Sequence, residues 1–365
     1  MNYLATAIIT FSMIRLLVAV SNMLTRQWLR PGSTATGQPL VSVLIPARNE
    51  AHQIGRLLED LMDQDHPNWE AIVYNDLSED DTESVVRHYM NKDNRIRLIS
   101  GEALPPGWLG KNHGCHRLAA KAGGGFLLFL DADVRLGKTA LGDALAHREK
   151  FRLDLLSVFP RQKMNSFGEK ISVPLMNWVL LSLLPLILTR KTKLPSLAAA
   201  NGQFMLFNAV VYKRHLFHQQ FRKKPAEDIA IAREMKKKGF RIHTILGGRQ
   251  VECRMYPSLA EAMGGFSKNV IDFFGSSFAM AILFTLLTTF GFIPVYLAMG
   301  PVAMAGLLIM TLAIRGITAG ISRQQVIINI ATAPLQQAIF AATVVLAIYR
   351  TIRKTNTWKG RSVNI

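Results

Sequence analysis

The run Phe126–Leu130, preceded by Gly124-Gly125 and ended by Asp131-Ala132-Asp133, restricts the fold more than any other stretch. Consecutive apolar side chains behind glycine have the length and composition of a strand buried on both faces of a parallel sheet. Sheets of that kind bind ligands at the carboxyl ends of their strands, which is where the two acids fall. Carboxylates one residue apart can hold a hard divalent cation through oxygen while the cation holds a diphosphate. The plainer reading has one Asp capping the next helix and the other in solvent.

The surroundings extend this pattern. Residues 40–255 read as an α/β domain in which strands at Val41–Ala47, Trp69–Asp76 and Arg95–Ser100 alternate with helices over Glu50–Asp63, from about Glu79 to Met90, and after Gly110. Such alternation with short links implies a mainly parallel sheet. Pro46-Ala47-Arg48-Asn49-Glu50 turns from a strand into a helix, where backbone N–H groups and polar side chains can meet a ligand. Asp76 ends the second strand and can accept from the imide N–H of a uracil ring. Lys111, after Pro105-Pro106-Gly107-Trp108-Leu109-Gly110, opens a helix and can contact a phosphate. Asn201-Gly202-Gln203 is a turn feeding a further strand. Glu227-Asp228 opens a helix, either as a cap or as a general base for an acceptor hydroxyl. His113, Cys115 and His116 match no zinc spacing.

Apolar segments flank this domain. Tyr3–Leu24 is long enough to span a bilayer, with Arg15 placed to snorkel toward the end leading into Arg26 and Arg30. Val173–Thr189, broken by two prolines and Asn177, reads as an amphipathic helix in the membrane interface, with a true span as the rival reading. Ala279–Ile314 suits two linked spans. Gln325–Tyr349, polar in its first half, reads as a third span or a re-entrant segment. The net charge of +18 concentrates beside these segments, which favours an anionic membrane face over nucleic acid. Two cysteines cannot build a disulfide framework. The expected organisation is a transmembrane helix at 1–25, a catalytic domain at 40–255 including the interfacial helix 171–189, and an amphipathic connector at 256–278. Transmembrane or re-entrant helices follow at 279–349, then a basic cytosolic tail at 350–365.

Taken together, VSVLIPARNE, Asp76, Asp131-Ala132-Asp133 and Glu227-Asp228, in that order, resemble the family-2 glycosyltransferases over roughly residues 40–270 and the tail. Pro105–Asn112, Ala200–Phe204, Phe266–Asn269 and Trp358–Arg361 are similar to the membrane-bound subgroup that glycosylates bacterial isoprenoid lipids, the carotenoid-acid and hopanoid-associated enzymes. The resemblance implies an α/β, GT-A (Rossmann-like, mainly parallel sheet) catalytic domain with N- and C-terminal transmembrane helices. It implies inverting transfer of one sugar from a nucleotide-diphosphate sugar, UDP favoured, to a membrane lipid. Mg²⁺ or Mn²⁺ would sit at Asp133 and Asp131, with Asp228 and Glu227 as the catalytic pair. Pro46, Ala47, Arg48, Glu50, Asp76, Lys111, Asp131, Gln203 and Arg361 would bind the donor, and Asn201, Trp178, Phe266, Lys268 and Trp358 would face acceptor and membrane. The implied location is the inner (cytoplasmic) membrane, multi-pass, with the catalytic domain cytosolic and no nucleic-acid partner. The sequence departs from the family at Asn75 and Leu77, around Asp76, and lacks the Gln-x-x-Arg-Trp motif of processive synthases. A polysaccharide synthase of the same fold and a non-catalytic sugar-nucleotide-binding membrane protein are the alternatives.

Overall fold

In the computed structural model, residues 1–32 and 37–355 are described, with the backbone of Thr357, Trp358, Arg361 and Ser362. The side chains of Trp358 and Arg361 therefore lie outside the described residues. The chain forms two compact units.

The first unit is built on a seven-stranded sheet. Its strands are β1 (Val41–Ala47), β2 (Trp69–Asn75), β3 (Ile96–Ser100), β4 (Phe126–Leu130), β5 (Leu155–Phe159), β6 (Phe204–Asn208) and β7 (Ile242–Leu246), in spatial order β3-β2-β1-β4-β6-β5-β7. The pairs β1–β2, β1–β4, β2–β3 and β5–β7 are parallel, and β6 runs against both β4 and β5. The near-continuous apolar strands expected of a sheet covered on both faces are present, since β1 and β4 are buried almost throughout. Helices α1 (Ala51–Met62), α2 (Thr82–Met90) and α4 (Ala140–Phe151) bury Ile54, Leu57, Val86 and Leu145 against one face. On the other face α3 (Gly110–Lys121) and α5 (Glu227–Lys237) bury Leu118, Ile231 and Met235. A Cβ at Gly114 would lie 2.9 Å from the Tyr74 ring, so this glycine lets α3 settle closely on β2.

The second unit is helical. It takes in residues 1–26, 162–186 and 254–356. Among the described residues, three helical stretches are long and apolar enough to cross a membrane: Asn2–Thr25, Phe278–Ile321 and Ala333–Arg353. The second is interrupted at Gly300, whose φ of 80° precedes Pro301. Leu17, Leu283, Ile309 and Val345 face outward from these helices, as side chains do where lipid replaces water. The last apolar segment begins with its own short helix, Val326–Ala331, which buries Asn329, and the long helix after it, Ala333–Arg353, buries Gln336.

Two features differ from the sequence reading. Residues 162–186 group with the apolar helices, whereas the expectation put 171–189 in the catalytic domain. The helix Pro174–Leu183 is largely buried there, with Trp178 packed against Phe284 and Phe340. Asn22 explains where it stops. Its amide donates to the carbonyls of Leu181 and Leu184, both at 2.9 Å, and its oxygen accepts from Leu186 N at 2.7 Å, so a side chain satisfies the broken end. Arg15, expected to snorkel, is instead buried. It donates to Ser182 Oγ at 2.9 Å and lies over the Trp178 and Phe284 rings. Aromatic faces and a hydroxyl from neighbouring helices meet the guanidinium inside the unit, so it has no need to reach water.

Candidate active site

At the carboxyl ends of the strands, the fold gathers carboxylates around one lysine. Lys111, in the first turn of α3, places Nζ 2.8 Å from Asp131 Oδ1 and 3.6 Å from Glu227 Oε1. The neighbouring Asn112 donates to the carbonyls of Phe221 and Lys224, both at 3.0 Å, which ties the start of α3 to the loop leading into Glu227. The reversed strand β6 brings in the third component. Because it begins where β4 ends, the turn Asn201-Gly202-Gln203 lies beside Asp131, whose N–H donates to Gln203 O. Gly202 N donates to Asp228 Oδ2 at 2.8 Å, and Ile229 N donates to Asp228 Oδ1 at 2.8 Å. A Cβ at Gly202 would stand 3.0 Å from Lys111 Nζ and 3.4 Å from Glu227 Oε1, so the glycine keeps this centre open.

The two acids of the Asp-x-Asp pair have separate surroundings. Asp131 is bridged by Lys111, while Asp133 meets the Gln203 amide at 3.4 Å. Gln203 also donates to Cys253 Sγ at 2.9 Å. Burial, with the Asp131 and Glu50 carboxylates nearby, pushes Asp133 up to about 7. Burial likewise lifts Glu227 to about 7 despite Lys111, and Asp228 is raised for the same reason. Burial alone would lower Lys111, but Asp131 and Glu227 hold it well above its usual value. Four acids thus crowd one lysine, which pairs with Asp131 and Glu227. Their oxygen donors are the kind that bind Mg²⁺ or Mn²⁺, and Asp133, the acid not taken by the lysine, is the residue that fits such an ion best. Among the described residues no three His, Cys, Asp or Glu side chains converge as a complete metal site. A cation there would therefore take further ligands from a bound diphosphate or from water.

The turn after β1 is braced from the loop after β2. The N–H groups of Asn49, Glu50 and Ala51 donate to Ser78 Oγ, Thr82 Oγ1 and Asp80 Oδ2, at 3.0, 2.8 and 3.0 Å. Arg48, expected to touch the donor, is buried and donates to the carbonyls of Asp76 and Leu77 at 2.7 and 2.9 Å. These bonds stitch the loops after β1 and β2 together. They fix Asp76 at the same sheet edge, and Leu77 takes a left-handed conformation with φ 52°. Asn75 joins the stitching through Glu83 and Ser78 N. Pro46 and Ala47 end β1, beside Asn75 of β2.

Asn201 braces its own turn by accepting from Gln203 N at 2.8 Å. Trp178, Phe266 and Lys268 fall in the helical unit. Trp178 is buried between guanidinium groups and Phe266 is buried against Tyr256, so neither presents an open face. Sequence reasoning missed Cys253, which no motif marked. It reaches Asp133 because its strand, Val251–Cys253, pairs with Val134–Leu136.

Fold and site together define an α/β domain of the GT-A type, with an acidic centre at its strand ends. Residues 42–216, just under half of the chain, match the family model Glycosyl transferase family 2. The chain is 33% identical over 104 residues to TuaG of Bacillus subtilis, a glycosyltransferase named for teichuronic acid biosynthesis, which is 28% of this chain and 40% of that protein. It is 33% identical over 135 residues to the 4,4'-diaponeurosporenoate glycosyltransferase of Staphylococcus aureus, covering 36% of this chain and 34% of that one. The matches thus span well under half the length of these curated relatives. A solved mannosyltransferase, PcManGT from Pyrobaculum calidifontis in complex with GDP-Man and Mn²⁺, shares the fold with a TM-score of 0.55 at 18% identity, over 95% of this chain and 99% of that one.

Proposed function

We propose that this protein transfers a single sugar, with inversion, from a nucleotide-diphosphate sugar to a lipid acceptor at the cytosolic face of the inner (cytoplasmic) membrane. The observation that carries the reading is the set Asp131, Asp133, Glu227 and Asp228 around Lys111, at the edge where an α/β sheet meets its ligands. A bound Mg²⁺ or Mn²⁺ at Asp133 would neutralise charge developing on the departing diphosphate. Lys111 adds a fixed positive charge on the same side. Asp76, held by Arg48 at the end of β2, takes the imide N–H of the base, which favours UDP. The acceptor oxygen attacks the anomeric carbon as its bond to the diphosphate oxygen breaks. The leaving group carries off the electron pair, and the acceptor proton passes to Asp228, whose orientation Gly202 N and Ile229 N fix. Glu227 and Lys111 set the charge around that base.

The lipid acceptor draws support from the three apolar helices and from the carotenoid-acid relative. Arg26 and Arg30, just past the first helix, favour a cytosolic sheet unit, and the basic residues from Arg350 onward favour a cytosolic tail. Detergent-purified protein with Mn²⁺, offered a panel of UDP- and GDP-sugars, should release nucleoside diphosphate faster when membrane lipid extract is present. Turnover undiminished in both Asp133→Asn and Asp228→Asn would refute the assignment.

A further inference from the structure

The helical unit holds a second polar cluster that the proposed reaction does not use. The guanidinium carbons of Arg15 and Arg315 lie 4.7 and 3.9 Å from the centre of the Trp178 ring. Both arginines are almost fully buried, at 3% and 2% exposure. Their hydrogen bonds go to neutral oxygens: Arg15 donates to Ser182, and Arg315 donates to Gln336 Oε1 at 2.9 Å and Gln337 Oε1 at 3.0 Å. The described carboxylates of this unit are engaged elsewhere, Glu169 with Arg254, Glu261 with Ser258 and Asp272 with Ser276. Trp178 Nε1 is buried and donates to no acceptor. The cluster is therefore rich in donors and positive charge and poor in negative charge, within helices apolar enough to cross a membrane. Ionisable groups in such a setting are costly and mark ligand sites more often than scaffolding.

The cluster also reaches the surface. Gln337 is half-buried, and its amide donates to the hydroxyls of Thr288 and Thr289, which are partly exposed as well. These three partly exposed polar side chains carry the cluster to the outer surface through Gln337. Arg315 sits near the end of its helix at Ile321, about 9 Å along the axis at 1.5 Å per residue. At that position it lies nearer the helix end than the middle, within reach of a lipid headgroup. A guanidinium presents a planar fork that matches the oxygens of a phosphate or carboxylate better than a single amide carbonyl does.

We infer that Arg315, backed by Trp178 and Arg15, binds an oxyanion carried by a membrane lipid, which enters by displacing the Gln337 side-chain carbonyl. The site is independent of the sheet unit's chemistry. Asp133→Asn protein should bind the lipid as the wild type does, even if the glycosyl-transfer reading fails.

The test uses the full chain in neutral detergent, with thermal unfolding followed while phosphatidylglycerol, diacylglycerol or inorganic phosphate is added. Phosphatidylglycerol should raise Tm, and diacylglycerol and inorganic phosphate should not. In Arg315→Gln the half-saturating phosphatidylglycerol concentration should rise by about tenfold, as expected for losing a charged hydrogen-bonded pair. Gln337→Ala should lower it severalfold, because the internal competitor is gone. A purely structural cluster predicts no such tightening, so Gln337→Ala decides the matter even if Arg315→Gln does not fold. Equal affinity in wild type and Gln337→Ala would overturn the inference. A response to inorganic phosphate without one to phosphatidylglycerol would overturn the lipid-borne source.

Discussion

Each unit of this chain organises a polar centre, and the two centres carry opposite charge. In the sheet unit, acids outnumber the single lysine and stand partly open at strand ends. In the helical unit, two arginines flank a tryptophan, out of reach of the unit's described carboxylates. The difference shows how each architecture places charge. A parallel sheet sends successive strand ends to one edge, so acids distant in sequence meet there by topology alone. Helices meet side by side, and polar groups meet only where particular faces pack.

The largest test of this contrast is Asp133→Asn. Sugar transfer should fall by about a hundredfold or more, as when ligands around a metal site are lost. Tm should hold or rise, since one of several crowded carboxylates has been neutralised. Next comes Trp178→Ala, which removes a large buried ring and the face both guanidiniums use. A loss of about 3–5 kcal/mol is expected in a detergent unfolding titration, with the acidic centre of the sheet unit unchanged. Lys111→Met should destabilise by about 2 kcal/mol, by leaving Asp131 and Glu227 without their counter-charge. The acidic centre also fixes a pH dependence. Asp133 and Glu227 lie near 7 in the folded chain, above their ordinary values of 3.8 and 4.5. The folded state then holds more protons than the unfolded one between about pH 4 and 7. Stability of metal-free protein should decline as pH rises through that window, and Mn²⁺ should flatten the decline. The smallest effect belongs to Asn75→Ala, about 1 kcal/mol from the lost bonds to Glu83 and Ser78, measured by denaturant midpoint.

Much of the sheet could be read in advance, because its strands are uniform apolar runs closed by glycine, asparagine or aspartate. The acidic set was legible for the same reason. Partners were not. Arg48 and the amides of Asn49, Glu50 and Ala51 looked available to a ligand, yet residues about thirty positions away in the loop after β2 occupy them. Asn75 looked like a lapse from the family pattern and proves to be part of that stitching. Arg15 has a periodicity that any snorkelling residue would share, and only the packed position of Trp178 and Ser182 shows its destination. Local pattern records which side chains face inward. It carries no record of which one lies opposite.

The reversed direction of β6 has a consequence for anyone who would cut this protein apart. The backbone leaves the sheet unit after Arg161, runs through the helical unit and rejoins at Ile187, shortly before the turn that orients Asp228. Trimming the terminal helices alone would therefore strand a hydrophobic excursion between β5 and β6. A water-soluble derivative would instead need a linker in place of residues 162–186, one that returns β6 in its opposed direction.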